Sequence, residues 1–547
     1  MDYNQPFQVS IYLNNDTHDN GMTLKEYADA VLAGTQPILD HGGLDYHFGA
    51  TDEDMALVSN WATTNGLTIV LAESAIATIK VTGTLGQLGD LFKVTVREET
   101  VDGRTYITTD HTPTIPASIA SAVRAVGGFD QSFLAVRHIV EYDPSIAIPD
   151  LGTSYGSNPV TPPQMATAYN VPTGDGYGGC IGIFELSLNQ STPQDYREGW
   201  QQPDVTASFS RIGLTAPTIT TINVDSAYFH TNSSAESMLD IYCAGAVAPR
   251  AIIAYYIAPN GGTTNINDCI NAAVNDTTNN PSVLSMSWGL GDTTAYDTAF
   301  QAGIVKGMTF FVSSGDNGAV NLSMASTVCS QYIVSAGGTN VTLNGSNALT
   351  AEVAWGSSSG ASGGATGGGV STVVATPSWQ SGLTYKTTST GNSGGGIATA
   401  LGHRGVPDWS APADPSTGYV FYYGGTSSAA AGTTSQIGGT SASAPLLAGI
   451  WVRLNVLLGY RIPFNMSTFY TNYTTLFNDV ATGNNRNGYT TGYVCTTGWD
   501  AVTGLGSPKA DQIYQYFHTG STFPKGNRGF RPATGAAYPR ITQGART

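Results

Sequence analysis

From residue 178 onward, four short apolar runs, GCIGIFELS, AIIAYYIAP, SVLSMSWG and MTFFVSSG, alternate with stretches of helical period, SAESMLDIYCAGAVA, NDCINAAVND and TAFQAGIVKG. Strands that are apolar without alternation are covered on both faces. Parallel strands need crossover connections, which helices supply, so this order predicts a doubly wound α/β sheet. In such a sheet ligands bind beyond the carboxyl ends of the strands, and chemistry is expected there.

The chain has 547 residues, more than one ordinary domain holds. Residues 1 to 140 read as a separate α+β unit. FQVSIYLNN, LTIVLAE and ATIKVTGT are strands, and VTVREETVDGRTYITT is a hairpin turning at Asp102-Gly103. TLKEYADAVLAG is a helix with Thr23 and Glu26 as a capping box, and TDEDMALVSNWATTNG a helix capped by Thr51. LGQLGDLF and PASIASAVRAVGG are predicted as further helices. Residues 141 to 163 carry four prolines among Gly, Ser and Asn, and predict an exposed linker or a processing region. Residues 164 to 518 form the main domain, and 519 to 547 a basic tail rich in Gly and Pro.

The formal net charge of -17 leaves nothing to neutralise phosphates, which excludes a nucleic-acid partner. Charged residues are only 11% of the chain, so few cations remain to repel one another when carboxylates protonate in acid. The five scattered cysteines form no metal-binding pair; one or two disulfides are possible, with at least one thiol left over. No apolar run reaches the length of a membrane span, since Arg453 and Asn455 interrupt LLAGIWVRLNVLLGY. The stretch MDYNQPFQVSIYLNND lacks the pattern of a signal peptide.

GGTSASAPLLAGIW, residues 438 to 451, holds Ser441 at the start of a helical run, with small neighbours and Pro445 as a helix starter. A serine nucleophile needs a base, a partner for that base and donors for the oxyanion. Of the eight histidines only His230, just before a helix, is a serious candidate base. The helix itself carries Glu236 and Asp240, four residues apart on one face among apolar neighbours. Two carboxylates in dry surroundings keep a proton between them, as a base and its partner require. Asp316, in TFFVSSGDNG, ends a buried strand; it reads either as an Asx turn or, protonated, as a donor to an oxyanion. Asp479 and Asp500 lie amid glycines near the end of the domain, where carboxylates and loop carbonyls suit calcium as well as they suit a plain turn.

Taken together, Gly-Thr-Ser-Ala-Ser-Ala-Pro at Ser441, Glu-x-x-x-Asp at Glu236 and Asp240, and Ser-Gly-Asp at Asp316 resemble the sedolisin, or serine-carboxyl peptidase, family. SMSWG, SAGGT, EVAW, GGGVS and GVPDWSAPADPSTGY are similar to other segments of that family, and residues 1 to 140 to a kumamolisin-type activation pro-domain. The resemblance implies a subtilisin-like, mostly parallel sheet behind a small α+β pro-domain that inhibits its own enzyme until removed. It implies Ser441 as nucleophile on a peptide or protein substrate, Glu236 as general base and acid, Asp240 as its partner, and Asp316 in the oxyanion hole. It further implies one structural Ca2+ held by Asp479, Asp500 and the carbonyls of Val480, Thr496 and Gly498, with Thr496 standing where the family has glycine. A secreted or otherwise acidic setting goes with it. A carboxylate base with a reference pKa of roughly 4.3 predicts fastest turnover at about pH 3 to 5. Tripeptide release, or a binding role without turnover, is the competing expectation.

Overall fold

The computed structural model describes residues 1–15, 21–141, 158–188, 196–322, 329–356, 364–389, 396–426 and 431–519. At its amino end an antiparallel sheet of four strands runs in the order Thr68–Glu73, Thr78–Thr84, Pro6–Leu13 and Val123–Gly127. Helices Asp52–Thr64 and Leu85–Phe92 bury Val58, Ala62, Leu88 and Phe92 against Val9, Ile11, Ile79 and Val81 of these strands. The hairpin turns at Asp102 and Gly103, whose φ values of 51° and 78° are those of a primed turn.

Three features differ from the sequence reading. PASIASAVRAVGG is not a helix: its last residues form the edge strand Val123–Gly127, because the first strand offers Ser10 to Leu13 an open side that Val123 and Val126 can fill. A helix over His41–Phe48, capped by Asp40, was not foreseen; HGGLDYHF has two glycines and little helical period. Helix Leu24–Leu32 has the expected capping box, yet it buries Leu24, Tyr27 and Val31 against the main domain rather than its own sheet. Between the two units lies a buried polar cluster. Lys80 Nζ is 2.6 Å from Asp225 and 3.1 Å from Asp268, and Gln8, Ser10 and Tyr12 donate to the same two carboxylates.

The main domain is built on a sheet of eight strands, in the order Ile219–Asn223, Ile252–Pro259, Cys180–Ser187, Val283–Met286, Thr309–Ser313, Val334–Leu343 and Leu349–Ala354, with Trp409–Pro412 also paired to the sixth. The first six are mutually parallel and the seventh is antiparallel. The chain fills one side of Cys180–Ser187 and then crosses to the other, so a crevice opens where Ser187, Met286 and Ser313 end their strands. Helices Ala235–Val247 and Thr440–Leu458 pack together against this sheet. Thr440–Leu458 is the one described helix long and apolar enough to cross a membrane; 78% of its most apolar 18-residue stretch is buried in the protein core.

All five cysteines are buried and no disulfide joins them. Of the expected linker, Glu141 belongs to a short strand and residues 162 and 163 already open the helix Pro162–Ala168, where Thr161 caps and proline suits the first turn. Residues 142–157 of it and the tail beyond Thr519 lie outside the described residues.

Candidate active site

Gly439 caps the helix that carries Ser441, at a φ of 103°. A Cβ there would sit 2.3 Å from the carbonyl oxygen of His138 and 2.6 Å from Asp316 Oδ2, so both the backbone and the space require glycine. Ser441 is the second residue of the helix, where N–H groups lack carbonyl partners. Pro445 does not start this helix, as the sequence suggested, but lies within it. Having no N–H, it leaves the carbonyl four residues back, that of Ser441, without a helical donor. The Ser287 hydroxyl lies 3.3 Å from that oxygen and donates to Asp240 Oδ1 at 2.8 Å.

Helix Ala235–Val247 begins on a Ser234 cap and is buried from Glu236 to its end. Burial, and then the neighbouring Asp240, push the Glu236 carboxyl well above the usual carboxylate range; interaction with the Ser441 hydroxyl acts the other way. Asp240 is likewise pushed up by burial, against the hydrogen bond from Ser287. Neither Glu236 oxygen has a partner at hydrogen-bond geometry, and Ser441 Oγ donates to the Ser287 carbonyl at 3.2 Å. The hydroxyl thus faces Glu236 without being bonded to it. His230, the alternative base, bonds to the Asn232 backbone beside Tyr228.

Asp316 follows the strand Thr309–Ser313. Its Oδ1 accepts from the N–H and the hydroxyl of Thr440, both at 2.8 Å, while Thr440 Oγ1 accepts from Gly315 N–H at 3.0 Å. Oδ2 has no partner and crowds the same point as the His138 carbonyl. Burial raises the Asp316 pKa to about 7, opposed by the bonds from Thr440. In mildly acidic solution it therefore holds a proton to donate.

No motif points to what lies across these groups. Val136–Arg137 pairs antiparallel with Trp288–Gly289, and Val140–Glu141 pairs antiparallel with Ile437–Gly438. Between them His138 donates its N–H to the Ser287 carbonyl at 3.4 Å and accepts from Ser441 N–H at 2.9 Å. One turn outward, Asn260 brackets Ala135, accepting from its N–H and donating to its carbonyl, each at 3.0 Å. The His138 ring is buried with Nδ1 2.7 Å from Ser313 Oγ, and burial lowers its pKa to about 4. A chain held on both sides of one carbonyl, with a backbone N–H on its oxygen and a hydroxyl nearby, is bound as a substrate would be. Trp288 also donates to Glu185, a fourth buried carboxyl whose pKa burial raises.

The carboxylates expected to hold calcium meet at one loop. Asp479 Oδ2 accepts from Gly498 N–H at 2.9 Å and Asp500 Oδ2 from Thr496 N–H at 3.0 Å. Asp500 Oδ1 accepts from Val502 and Thr503, and the Val480 carbonyl from the Thr503 hydroxyl. Gly498 has a φ of 81°, whereas Thr496 is not among the residues with positive φ, so threonine there meets no backbone strain. Among the described residues no group of three or more His, Cys, Asp or Glu side chains could hold a metal. Among the described residues Asp500 is nonetheless buried without an ion pair, with its pKa pushed up to about 7 by burial against the N–H groups of Thr496, Val502 and Thr503.

Residues 1–132 match the family model of the pro-kumamolisin activation domain, and residues 224–460 that of the subtilase family. Kumamolisin from Bacillus sp. (strain MN-32) is 30% identical over 532 residues, covering 93% of this chain and 91% of its own. Sedolisin from Pseudomonas sp. (strain 101) is 25% identical over 444 residues, covering 74% and 70%. The solved structure of Pseudomonas sedolisin, a serine-carboxyl proteinase complexed with two molecules of pseudo-iodotyrostatin, aligns with a TM-score of 0.54 and 27% identity over 66% of this chain and 99% of that one.

Proposed function

The chain belongs to the sedolisin family of serine-type peptidases and carries a kumamolisin-type activation domain, and from this we propose that it is an acid-active endopeptidase that first cuts itself between His138 and Ile139. Ser441 Oγ attacks the carbonyl carbon while Glu236 takes its proton on one oxygen and cedes the proton the pair shares to Asp240. The developing oxyanion is met by Ser441 N–H and by the proton on Asp316 Oδ2. Glu236 then returns its proton to the departing amine, and water releases the acyl group by the same steps reversed. Asp240 shares a proton with Glu236 and keeps it placed. Acid is required because Asp316 must be protonated, whereas a histidine base would be charged and idle there.

The observation that carries this reading is the 2.9 Å bond from Ser441 N–H to the His138 carbonyl. The hold of Asn260 on Ala135, four residues before the cut, favours internal cleavage, since tripeptide release would need a free amine at Val136. At pH 4 the full chain should lose its first 138 residues and leave Ile139 as the new amino terminus, read by mass spectrometry. Ser441→Ala should stay intact; equal cutting of that variant would refute the proposal, and cutting elsewhere would relocate the bond.

We further propose a structural Ca2+ at Asp479 and Asp500, with the carbonyls of Val480, Thr496 and Gly498. Bound there, the ion would neutralise a buried carboxylate and tie two loops together. A chelator should lower Tm by at least about 5 °C at neutral pH, restored by calcium; an unchanged melting curve removes the ion from the account.

A further inference from the structure

The self-cleavage geometry also shows how one side chain beside the cut is read. Arg137 precedes His138, and its backbone is fixed by the register Trp288↔Arg137. Its guanidinium enters a recess where Nη1 lies 3.1 Å from Glu198 Oε1 and Cζ lies 5.1 Å from the centre of the Tyr196 ring. The Tyr196 ring packs edge-on against Trp288, with centroids 5.8 Å apart, so the wall of the recess rests on the strand that binds the backbone.

Glu198 is built for this contact. Its side chain is 0% exposed, against 20% for Arg137. Oε2 accepts from the hydroxyls of Ser234 and Ser237, its backbone N–H donates to Ser187 Oγ at 2.9 Å, and its carbonyl accepts from His230 N–H. These bonds fix the carboxylate and leave Oε1 aimed at the incoming cation. Among the described residues, Arg137 is the cation paired with it. When the pro-domain leaves, this buried carboxylate loses its counter-charge, and a substrate that restores it gains the full charge-assisted bond.

We propose that Glu198 and Tyr196 form a subsite that selects arginine at the position immediately before the residue whose carbonyl is attacked. The inference rests on the cleavage reading above and extends it from the linker to foreign peptides. Lysine would serve less well, because a compact ammonium neither stacks on Tyr196 nor offers a planar fork. The subsite also touches the chemistry: the charge on Glu198 raises the Glu236 pKa and that on Arg137 lowers it.

The test uses the acid-activated full chain and peptides that differ only at this position, with histidine following it. Arginine should exceed its neutral isostere citrulline in kcat/KM by about 10- to 100-fold, the range for a charge-assisted hydrogen bond. Lysine should fall between. Glu198→Gln should bring the arginine-to-citrulline ratio of kcat/KM to about one, a ratio that a general loss of activity leaves unmoved. Tyr196→Leu, a second variant that keeps the carboxylate, should weaken arginine and lysine unequally. Hydrolysis that depends on Ser441 but ignores arginine would overturn the subsite and leave the cleavage reading standing. Hydrolysis that survives Ser441→Ala would overturn both.

Discussion

Glu236→Gln should fold normally and lose at least about a thousandfold in kcat/KM at every pH, including acid. Glutamine keeps the shape of a protonated glutamic acid, and the raised pKa of Glu236 means that this neutral form is the one the buried helix prefers. Unfolding is therefore not the expected cause of the loss, and an unchanged Tm would show it. What glutamine cannot do is accept the proton from Ser441. The neighbours offer no substitute, since His230 is engaged with the Asn232 backbone. Initial rates on an internally cleaved peptide from pH 3 to 8 are the measurement. A variant with more than about a tenth of the normal rate would mean that another group takes the proton, the Ser287 carbonyl being merely a resting partner of the hydroxyl.

The second large effect divides two substitutions at Asp316. Asp316→Ala removes a donor to the oxyanion together with the two bonds from Thr440, and kcat should fall by about 10²- to 10³-fold. Asp316→Asn should behave differently. Its amide oxygen can accept both Thr440 bonds while the amide nitrogen takes the place of Oδ2 and donates at any pH. The natural carboxyl has a raised pKa of about 7, so it donates below that value and becomes a repelling anion above it. Wild-type activity should accordingly fall as pH rises through about 7, and Asp316→Asn should keep its activity across that range. Should both variants retain the same alkaline decline, the group that titrates there is not Asp316.

Much of this site was legible because its chemistry is local in sequence. Glu236 and Asp240 lie one turn apart on a single helix, and four residues of spacing put them on one face before any fold is known. Ser441 and Asp316 each sit at the junction of a regular element and a turn, and glycines announce those junctions. The parallel sheet was equally open to reading, since each of its central strands is apolar throughout. What stayed hidden depends on partners far along the chain. His138 looks like any histidine near a proline-rich stretch until Ser441, Ser287 and Ser313 close around it. Glu198 follows a segment of no evident period, and its role depends on Arg137, 61 residues away. The strand Val123–Gly127 was mistaken for a helix because the alanines of PASIASAVRAVGG favour a helix until a strand edge far along the chain claims the segment. Pro445 misled for a similar reason: proline opens helices more often than it interrupts them, and only the Ser287 hydroxyl beside the carbonyl it leaves open accounts for it.

The sharing of one apolar core between Leu24–Phe48 and the main domain, together with the latch of Lys80 on Asp225 and Asp268, separates scission from activation. If the bond after His138 is cut as proposed, that cut loosens none of those contacts, and the severed fragment should stay bound as a plug by the same surface that guided it into place. The onset of proteolysis is then timed by dissociation of that fragment or by its destruction in trans by molecules already freed. A lag that shortens with protein concentration, followed by abrupt acceleration, is the kinetic form such a device takes.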